Sequence, residues 1–271
     1  MQSSPLELAL SGTKWHGGVR LKDLKNIKIL IMTDWLTRTE LILDKEKLNR
    51  LKNANVLVIG LGGVGAYAAE MICRAGVGSM TIVDGDKVHV TNRNRQLPAL
   101  KSTEGKAKAE VMGQRIFDIN PDIKLKVIAE YIKDERMEEV IGQGFDYVVD
   151  AIDTLSPKIF LIYHTVKRKI PLVSSMGAGG KFDPTKVSIC DISETTNCML
   201  ARILRKRLHR LEIRDGFTAV YSPESIDKTR VIVTDGEQNK ASVVGTISYM
   251  PASFGIACAS VVIRDLAGIN R

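Results

Sequence analysis

A glycine-rich segment early in the chain has the spacing of a nucleotide-binding loop. It reads Gly60-Leu61-Gly62-Gly63-Val64-Gly65, which matches G-x-G-x-x-G, and it stands between an apolar run and a helical pattern. Glycine lets backbone N–H groups approach a phosphate, and the start of a helix adds positive dipole there. Asp84 closes the next apolar run, where a carboxylate can accept hydrogen bonds from ribose hydroxyls. The segment predicts a nucleotide site, and a tight turn without a ligand is the alternative.

Polar and cationic residues after the second apolar run favour a triphosphate over a dinucleotide. The group comprises Asp86, Asn92, Arg95 and Lys108. A dinucleotide needs only backbone donors for its pyrophosphate, whereas a departing pyrophosphate needs cations to hold the developing charge. Each of these residues taken alone is typical of a solvated surface or a helix cap. Their position beside a glycine loop therefore favours ATP over NAD.

Two carboxylates follow the fourth apolar run, in Val149-Asp150-Ala151-Ile152-Asp153. Ligands bind at the carboxyl ends of parallel strands, so this tip is expected to face the nucleotide. Mg²⁺ bridging phosphates is commonly held by such a carboxylate, and Asp153 is the candidate. The alternative role for Asp153 is to cap the helix that follows.

Apolar runs alternate with helical patterns along the first two thirds of the chain. This alternation predicts an α/β fold, Rossmann-like and doubly wound, with a mostly parallel sheet. The later part of the chain predicts antiparallel strands. The predicted strands are 55–60, 79–84, 124–129, 145–150, 171–175, 186–191, 217–222 and 230–234, with a turn at 235–240. The predicted helices are 44–52, 63–75, 102–120, 133–141, 155–169, 196–214 and 251–267.

Composition places the chain among ordinary globular proteins, with 44% hydrophobic and 26% charged residues in 271. The apolar runs are too short to predict a membrane-spanning helix. Four cysteines without a CxxC pair argue against a zinc site and a disulfide framework, which fits a cytoplasmic protein. Residues 1–31 predict a poorly ordered leader, or a segment ahead of a true start at Met32, and residues 32–271 a single domain.

The combined motifs resemble the ThiF/MoeB/HesA family, relatives of the adenylation domain of ubiquitin-activating enzymes. The resemblance spans residues of about 34 to 267 and rests on the glycine loop, Asp84-x-Asp86, Asn92-x-x-Arg95-Gln96, Lys108 and Asp150-x-x-Asp153. It implies an enzyme that binds Mg-ATP and adenylates a carboxylate. It also implies that Asp84 holds the ribose, that Asn92, Arg95 and Lys108 contact phosphates, and that Asp153 positions magnesium. A homodimer is implied, in which Arg38 reaches the partner's ATP.

Several stretches resemble a tRNA-modifying branch of this family: 93–96, 106–112, 119–121, 149–153, 170–173 and 176–180. This resemblance implies a tRNA substrate whose N6-threonylcarbamoyladenosine carboxylate is activated by ATP and then cyclised. The alternative is adenylation of the carboxyl-terminal glycine of a ubiquitin-like sulfur carrier, but such members hold zinc through CxxC pairs. A non-catalytic nucleotide or NAD module is a further alternative. A monovalent cation at 177–180 and a sulfur-relay partner are additional candidates.

Most of the net charge of +8 lies in one segment. Residues 202–214 contribute +5 and the leader contributes +3. In a tRNA enzyme this basic helix would contact the phosphate backbone without determining sequence specificity. A solvated amphipathic helix is the alternative. The candidate contacts are Arg202, Arg205, Lys206, Arg207 and Arg210, around a predicted apolar stripe of Leu204, Leu208 and Leu211.

Two cysteines, Cys190 and Cys198, are candidates for thiol acceptors. Neither has a neighbouring base to activate its thiol, so both are expected to be small buried hydrophobes. His89 and His164 lack partners at catalytic spacing and are predicted to be packing or surface residues.

Overall fold

A computed structural model describes residues 34–227, 229, 231–233 and 242–269. The predictions for residues 1–31, for a start at Met32 and for the turn at 235–240 lie outside these residues. The chain divides into two compact units, residues 1–37 and 38–271. In the described part of the first unit, Asp34 closes a turn by accepting hydrogen bonds from the backbone of Leu36 and Thr37. The sheet and the helices that cover it belong to the second unit.

A seven-stranded sheet forms the centre of the fold, in the order β3-β2-β1-β4-β5-β7-β6. Six strands run parallel, and β6 pairs with β7 in the antiparallel sense. These strands are β1 (Asn55–Ile59), β2 (Ser79–Val83), β3 (Lys124–Ile128), β4 (Tyr147–Asp150), β5 (Leu172–Ser175), β6 (Ser188–Asp191) and β7 (Thr218–Tyr221). Central strands β4, β5 and β7 are buried along their whole length because helices cover both faces. The predicted fold class is confirmed.

The helices form two layers, one on each face of the sheet. They are α1 (Thr37–Leu43), α2 (Lys45–Asn53), α3 (Gly65–Arg74), α4 (Lys108–Ile119), α5 (Asp134–Ile141), α6 (Leu155–Lys167), α7 (Met199–His209) and α8 (Tyr249–Ala267). One apolar cluster joins α3, α4 and α8 to the sheet, and a second joins α5, α6 and α7 to the opposite face. Buried Glu70 on α3 also pairs with Arg74 and with Arg115 of α4, which ties these two helices together.

Three predicted elements differ from the structure. The helix predicted from residue 102 begins at Lys108, because Gly105 adopts a φ of 81° that a helix cannot contain. The basic helix predicted over 196–214 is α7 and ends at His209, before Glu212 with its φ of 61°. The strand predicted over 230–234 is β8 (Val231–Val233), which lies outside the main sheet and pairs with the unpredicted β9 (Ser242–Val244).

Helix α8 corrects the expectation that no segment is apolar and long enough to cross a membrane. Its 19 residues meet that requirement by length and composition. The apolar composition has an internal explanation, because Met250, Phe254, Cys258 and Val262 are fully buried in the core. Half of the most apolar stretch of α8 is buried inside the protein.

Candidate nucleotide site

The candidate site lies where the strand order reverses. The connections after β1 and β2 pass to one face of the sheet through α3 and α4, and those after β3 and β4 pass to the other through α5 and α6. The connections that follow β1 and β4 therefore diverge to opposite faces of the sheet, which leaves a crevice at the carboxyl ends of these two strands. The glycine loop follows β1 at this position.

The four glycines of the loop differ in how much space the fold leaves for a side chain. Gly60 has a φ of 89°, and an added Cβ there would lie 2.6 Å from the carbonyl oxygen of Ala151. An added Cβ at Gly65 would lie 1.8 Å from the Gly60 oxygen, and one at Gly63 would lie 2.8 Å from Pro251. At Gly62 the nearest atom is the Gln96 amide nitrogen, at an ordinary 3.7 Å. The fold thus requires three of the glycines, whereas Gly62 leaves room for a ligand.

Gln96 borders this space and has an unused acceptor. Its side-chain oxygen is buried and has no hydrogen-bond partner among the described residues. A buried amide oxygen without a partner is costly, so a bound donor would be stabilising there. The empty space at Gly62 and the Gln96 oxygen both fit a nucleotide in this loop. The sequence motif includes Gln96, but its spacing alone predicts no role for this residue.

Asp84 fastens the glycine loop to the end of β2. Its carboxylate accepts the Leu61 N–H at 2.6 Å and the Asp86 N–H at 2.7 Å. Burial raises the pKa of Asp84, and the positive charge of Lys108 opposes that shift. An ionised carboxylate has about four acceptor positions, so two remain for ribose hydroxyls. The ribose role of Asp84 remains a prediction.

Lys108 and Asp86 form an ion pair in the structure, with Nζ and Oδ2 2.7 Å apart. Lys108 is only 4% exposed, and the other oxygen of Asp86 accepts a hydrogen bond from the Tyr131 hydroxyl. This bond raises the pKa of Tyr131, aided by burial. The motifs predict that Asp86 and Lys108 both serve ATP, but they predict neither this ion pair nor the contact with exposed Tyr131. No local pattern joins these three distant positions.

Arg95 and Asp153 lie within electrostatic reach of each other across the crevice. Burial lowers the pKa of Arg95, and the carboxylate of Asp153 opposes this shift. The Arg95 guanidinium donates to the Thr91 carbonyl at 3.0 Å and to the Asn94 side chain at 2.8 Å. The Asn94 amide in turn donates to the Thr246 carbonyl at 2.9 Å. The loop that carries Arg95 is therefore held against the segment before α8.

Asn92 uses its side-chain oxygen within its own turn. That oxygen accepts the backbone N–H of His89 at 3.1 Å, while the His89 ring accepts the Thr91 N–H. The Asn92 amide nitrogen is the donor that could be offered to a phosphate. His89 is a capping residue, as expected of a histidine without catalytic partners.

The two carboxylates after β4 have separate environments. Asp150 is fully buried and pairs with Lys158 at 2.7 Å, an interaction that the sequence pattern does not predict. Asp153 is exposed, and the helix cap position belongs to Thr154. Because Asp150 is enclosed and neutralised, Asp153 is the one of these two carboxylates that can be offered to a metal bound from the crevice.

Magnesium fits this donor set. Within residues 34–227 and the other described segments, no group of three or more histidine, cysteine or acidic side chains could hold a metal ion. Mg²⁺ usually retains several waters and binds through one or two carboxylates together with substrate phosphates. A single exposed Asp153 beside a phosphate loop meets that requirement.

Residues 177–180, the segment considered for a monovalent cation, and the adjacent Lys181 hold two other segments in place. The Gly180 N–H donates to the Gly245 carbonyl at 2.8 Å. Buried Lys181 donates to the carbonyls of Ser222 and Glu224 at 2.8 and 2.9 Å. Cation binding there remains a prediction.

The basic helix α7 divides its cations between two roles. Arg202, Lys206, Arg207 and Arg210 are exposed. Arg205 is half-buried, and its guanidinium donates to the carbonyls of Ile192 and Thr195 and to the Thr195 hydroxyl. Arg205 therefore supports its own chain, which does not favour the predicted phosphate contact. The buried stripe consists of Ala201, Leu204 and Leu208, and Leu211, predicted to belong to it, is 39% exposed.

The remaining candidates are distributed around the domain. Arg38 is exposed on α1. Cys198 is buried and Cys190 partly buried, and burial raises the pKa of Cys190. His164 packs against Phe160 and Tyr163. The expectation that the cysteines are enclosed holds fully for Cys198 and in part for Cys190.

Comparisons with known proteins agree with this architecture. Residues 36–271 match the ThiF family, and the chain belongs to that family. It is 39% identical over 242 residues to the tRNA threonylcarbamoyladenosine dehydratase of Bacillus subtilis, covering 87% of this chain and 95% of that protein. It is 36% identical over 231 residues to the Haemophilus influenzae dehydratase of the same name, covering 82% and 88% respectively.

A solved structure shares the fold. The crystal structure of the Escherichia coli tRNA N6-threonylcarbamoyladenosine dehydratase in complex with ATP matches with a TM-score of 0.77 and 34% identity. The match covers 85% of this chain and 93% of that one. The family and the Rossmann-like fold predicted from the motifs are confirmed.

Proposed function

We propose that this chain dehydrates N6-threonylcarbamoyladenosine in tRNA at the expense of ATP. The observation that carries this proposal is the likeness to a dehydratase over 95% of that enzyme's length. The crevice supports it, because a phosphate loop, two cations and an exposed carboxylate converge there. Adenylation of a ubiquitin-like sulfur carrier is the less favoured alternative, since the chain lacks CxxC pairs.

A carboxylate oxygen is a poor leaving group, and the proposed reaction first converts it into a good one. A carboxylate oxygen of the threonyl group attacks the α-phosphorus of ATP, and the bond from phosphorus to pyrophosphate breaks. The carboxylate thereby becomes an acyl adenylate. A nucleophile within the same modified nucleoside then attacks the acyl carbon and loses its proton to solvent, and AMP leaves with the former carboxylate oxygen. The nucleoside has lost the elements of water, and AMP and pyrophosphate are the other products.

The residues of the crevice divide this task. Backbone N–H groups at the start of α3 bind phosphate, and Gly62 leaves them accessible. Arg95, Asn92 and Lys108 stabilise the charge that develops on the departing pyrophosphate. Lys108 must exchange Asp86 for phosphate or share its three donors between them. Asp153 would hold Mg²⁺, which supplies charge neutralisation to the phosphates when bound.

The acceptor tRNA is proposed to contact the exposed cations of α7. The chain enters and leaves the α7 segment through Asp191 of β6 and Thr218 of β7, at the end of the sheet opposite the glycine loop. Helix α7 packs on the face of the sheet that also carries α5 and α6, so a substrate bound both to α7 and at the glycine loop would extend along the domain, as a tRNA can. We further propose a cytoplasmic homodimer in which Arg38 completes the partner's site. A sulfur-relay partner remains a candidate.

The test is a single-turnover reaction with tRNA that carries the linear modification. The protein, ATP and Mg²⁺ are added, the tRNA is digested, and the nucleosides are measured by mass spectrometry. We expect a nucleoside lighter by one water, formed with one AMP per tRNA. Omitting ATP should abolish it. Absence of the lighter nucleoside, together with pyrophosphate exchange that requires a ubiquitin-like carrier, would overturn the proposal in favour of the alternative.

A further inference from the structure

A buried lysine lies directly beneath the candidate site and has no part in the proposed reaction. Lys158, in the first turn of α6, is 0% exposed, as is its partner Asp150 at the end of β4. An ion pair removed from water is expensive unless every donor and acceptor is satisfied. Its position therefore calls for an explanation beyond stability.

The three donors of the Lys158 ammonium are fully used. Nζ lies 2.7 Å from Asp150 Oδ2, 3.1 Å from the Ile152 carbonyl and 2.8 Å from the Ser175 carbonyl. The acceptors lie at the end of β4, in the segment after β4 and at the end of β5. One side chain thus joins the carboxyl ends of two adjacent strands to the turn between β4 and α6.

Asp150 completes this arrangement from the other side. Its Oδ2 also accepts the Ser174 hydroxyl at 2.6 Å, and its Oδ1 accepts the Ile152 N–H at 3.1 Å. Ile152 is therefore held twice, by its N–H through Asp150 and by its carbonyl through Lys158. Cys258 of α8 lies within electrostatic reach of the pair, since both charges act on its buried thiol.

The segment held in this way contacts the nucleotide loop. The Ala151 carbonyl oxygen lies 2.6 Å from where a Cβ of residue 60 would stand, and the Ala151 methyl lies 2.9 Å from that of residue 65. Two positions beyond Ala151 is Asp153, whose charge acts on Arg95. Within residues 151–153, Ala151 packs against the glycine loop and Asp153 is the proposed metal ligand.

We infer that Lys158 is a positioning residue, which through Asp150 and Ile152 fixes the 151–153 segment for Mg-ATP binding. This inference rests on the proposed function of the site. Groups that orient a metal ligand without touching the metal commonly change metal affinity when they are removed. Lys158 acts on the backbone that carries Asp153.

The decisive variant is Asp150→Asn combined with Lys158→Met. Lys158→Met alone would leave a buried, unpaired carboxylate, whereas the double variant removes both charges together. The amide introduced by Asp150→Asn retains an oxygen for the Ile152 N–H, but the bonds from Nζ to Ile152 and Ser175 are lost. Tyr147→Phe is the matched control, because it removes a hydrogen bond of 2.7 Å to Asp265 at the opposite end of the same strand.

The measurement is equilibrium binding of a non-hydrolysable ATP analogue by calorimetry, with Mg²⁺ and with a chelator. We expect the double variant to bind the Mg²⁺ complex about 10- to 100-fold more weakly. The gain in affinity that Mg²⁺ confers on the wild type should shrink by a similar factor. Tyr147→Phe should bind as the wild type does, whatever its melting temperature.

Wild-type affinity and an undiminished Mg²⁺ effect in a folded double variant would overturn the inference. If that variant does not fold, Ser174→Ala decides, since it removes one bond to Asp150 and leaves the ion pair. A smaller loss of Mg²⁺-dependent affinity supports the inference, and no loss refutes it. Failure of the proposed function is a separate result: the wild-type protein would then bind Mg-ATP without dehydrating tRNA.

Discussion

Gly62→Ala is expected to raise stability and weaken ATP binding at the same time. Gly62 is not among the glycines with positive φ, and an added Cβ would meet its nearest neighbour at 3.7 Å. The methyl group therefore costs the folded state little, while it restricts the unfolded chain. Such a replacement stabilises by about 0.4–1 kcal/mol, or roughly 1–4 °C in melting temperature for a domain of this size.

The same methyl group occupies the space in which the loop would receive a phosphate. Losing one hydrogen bond to a charged group costs about 1.5–3 kcal/mol. This corresponds to roughly 10- to 100-fold weaker binding, because about 1.4 kcal/mol is a factor of ten. The two effects have opposite signs, so general damage to the fold cannot imitate them.

Differential scanning calorimetry without nucleotide and titration with a non-hydrolysable ATP analogue measure the two effects. Gly65→Ala is the matched control, since its Cβ would lie 1.8 Å from the Gly60 oxygen. That variant should lose stability as well as binding. Unchanged affinity in a stable Gly62→Ala protein would refute the assignment of this loop to phosphate.

Three further outcomes follow from the site, the helix pair and the basic helix. Arg95→Ala should slow AMP formation by about 10²–10³-fold, the usual effect of removing one hydrogen-bond donor that stabilises charge in the transition state. The exposed-residue variant Arg93→Ala should leave the rate unchanged, and equal rates in Arg95→Ala and wild type would contradict the role of Arg95. Burial alone would raise the pKa of Glu70, but its two arginine partners lower that pKa below the ordinary 4.5, so the ionised carboxylate stabilises the fold above that pH and less as the pH falls. The difference in unfolding free energy between wild type and Glu70→Gln should therefore shrink on acidification, and a difference independent of pH would count against the pairing. Lys206→Ala should reduce by about one the slope of the logarithm of the tRNA-binding constant against the logarithm of salt concentration, while Arg205→Ala should instead lower the free energy of unfolding by about 1–3 kcal/mol. Salt titrations of binding and denaturant unfolding measure the two effects, and the reverse result would show both assignments to be wrong.

The sequence was most informative where local pattern decides structure. The apolar run before Gly60 and the acid after β2 determine a strand, a turn and a carboxylate within one compact unit, and all three were predicted. Helix boundaries were less accurate, because a single backbone angle at Gly105 moves the start of α4 to Lys108.

Contacts between distant residues could not be predicted. The Asp86–Lys108 and Asp150–Lys158 pairs each depend on where a helix begins relative to a strand end, and the inward orientation of Arg205 depends on its bonds to Ile192 and Thr195, which precede α7. Charged residues of one kind look alike in a sequence. The fold decides which of them serve the ligand, the backbone or the solvent.

The anchoring of Ser222, Glu224 and Gly245 has a consequence for how this domain responds to change. Gly180 donates to the Gly245 carbonyl, and the adjacent Lys181 donates to the carbonyls of Ser222 and Glu224. Because the two anchors are consecutive residues and Gly180 has a φ of 74°, which favours glycine, a substitution at Gly180 would strain the backbone of both anchors. The segment that follows β7 and the segment that precedes α8 are therefore coupled through one backbone position.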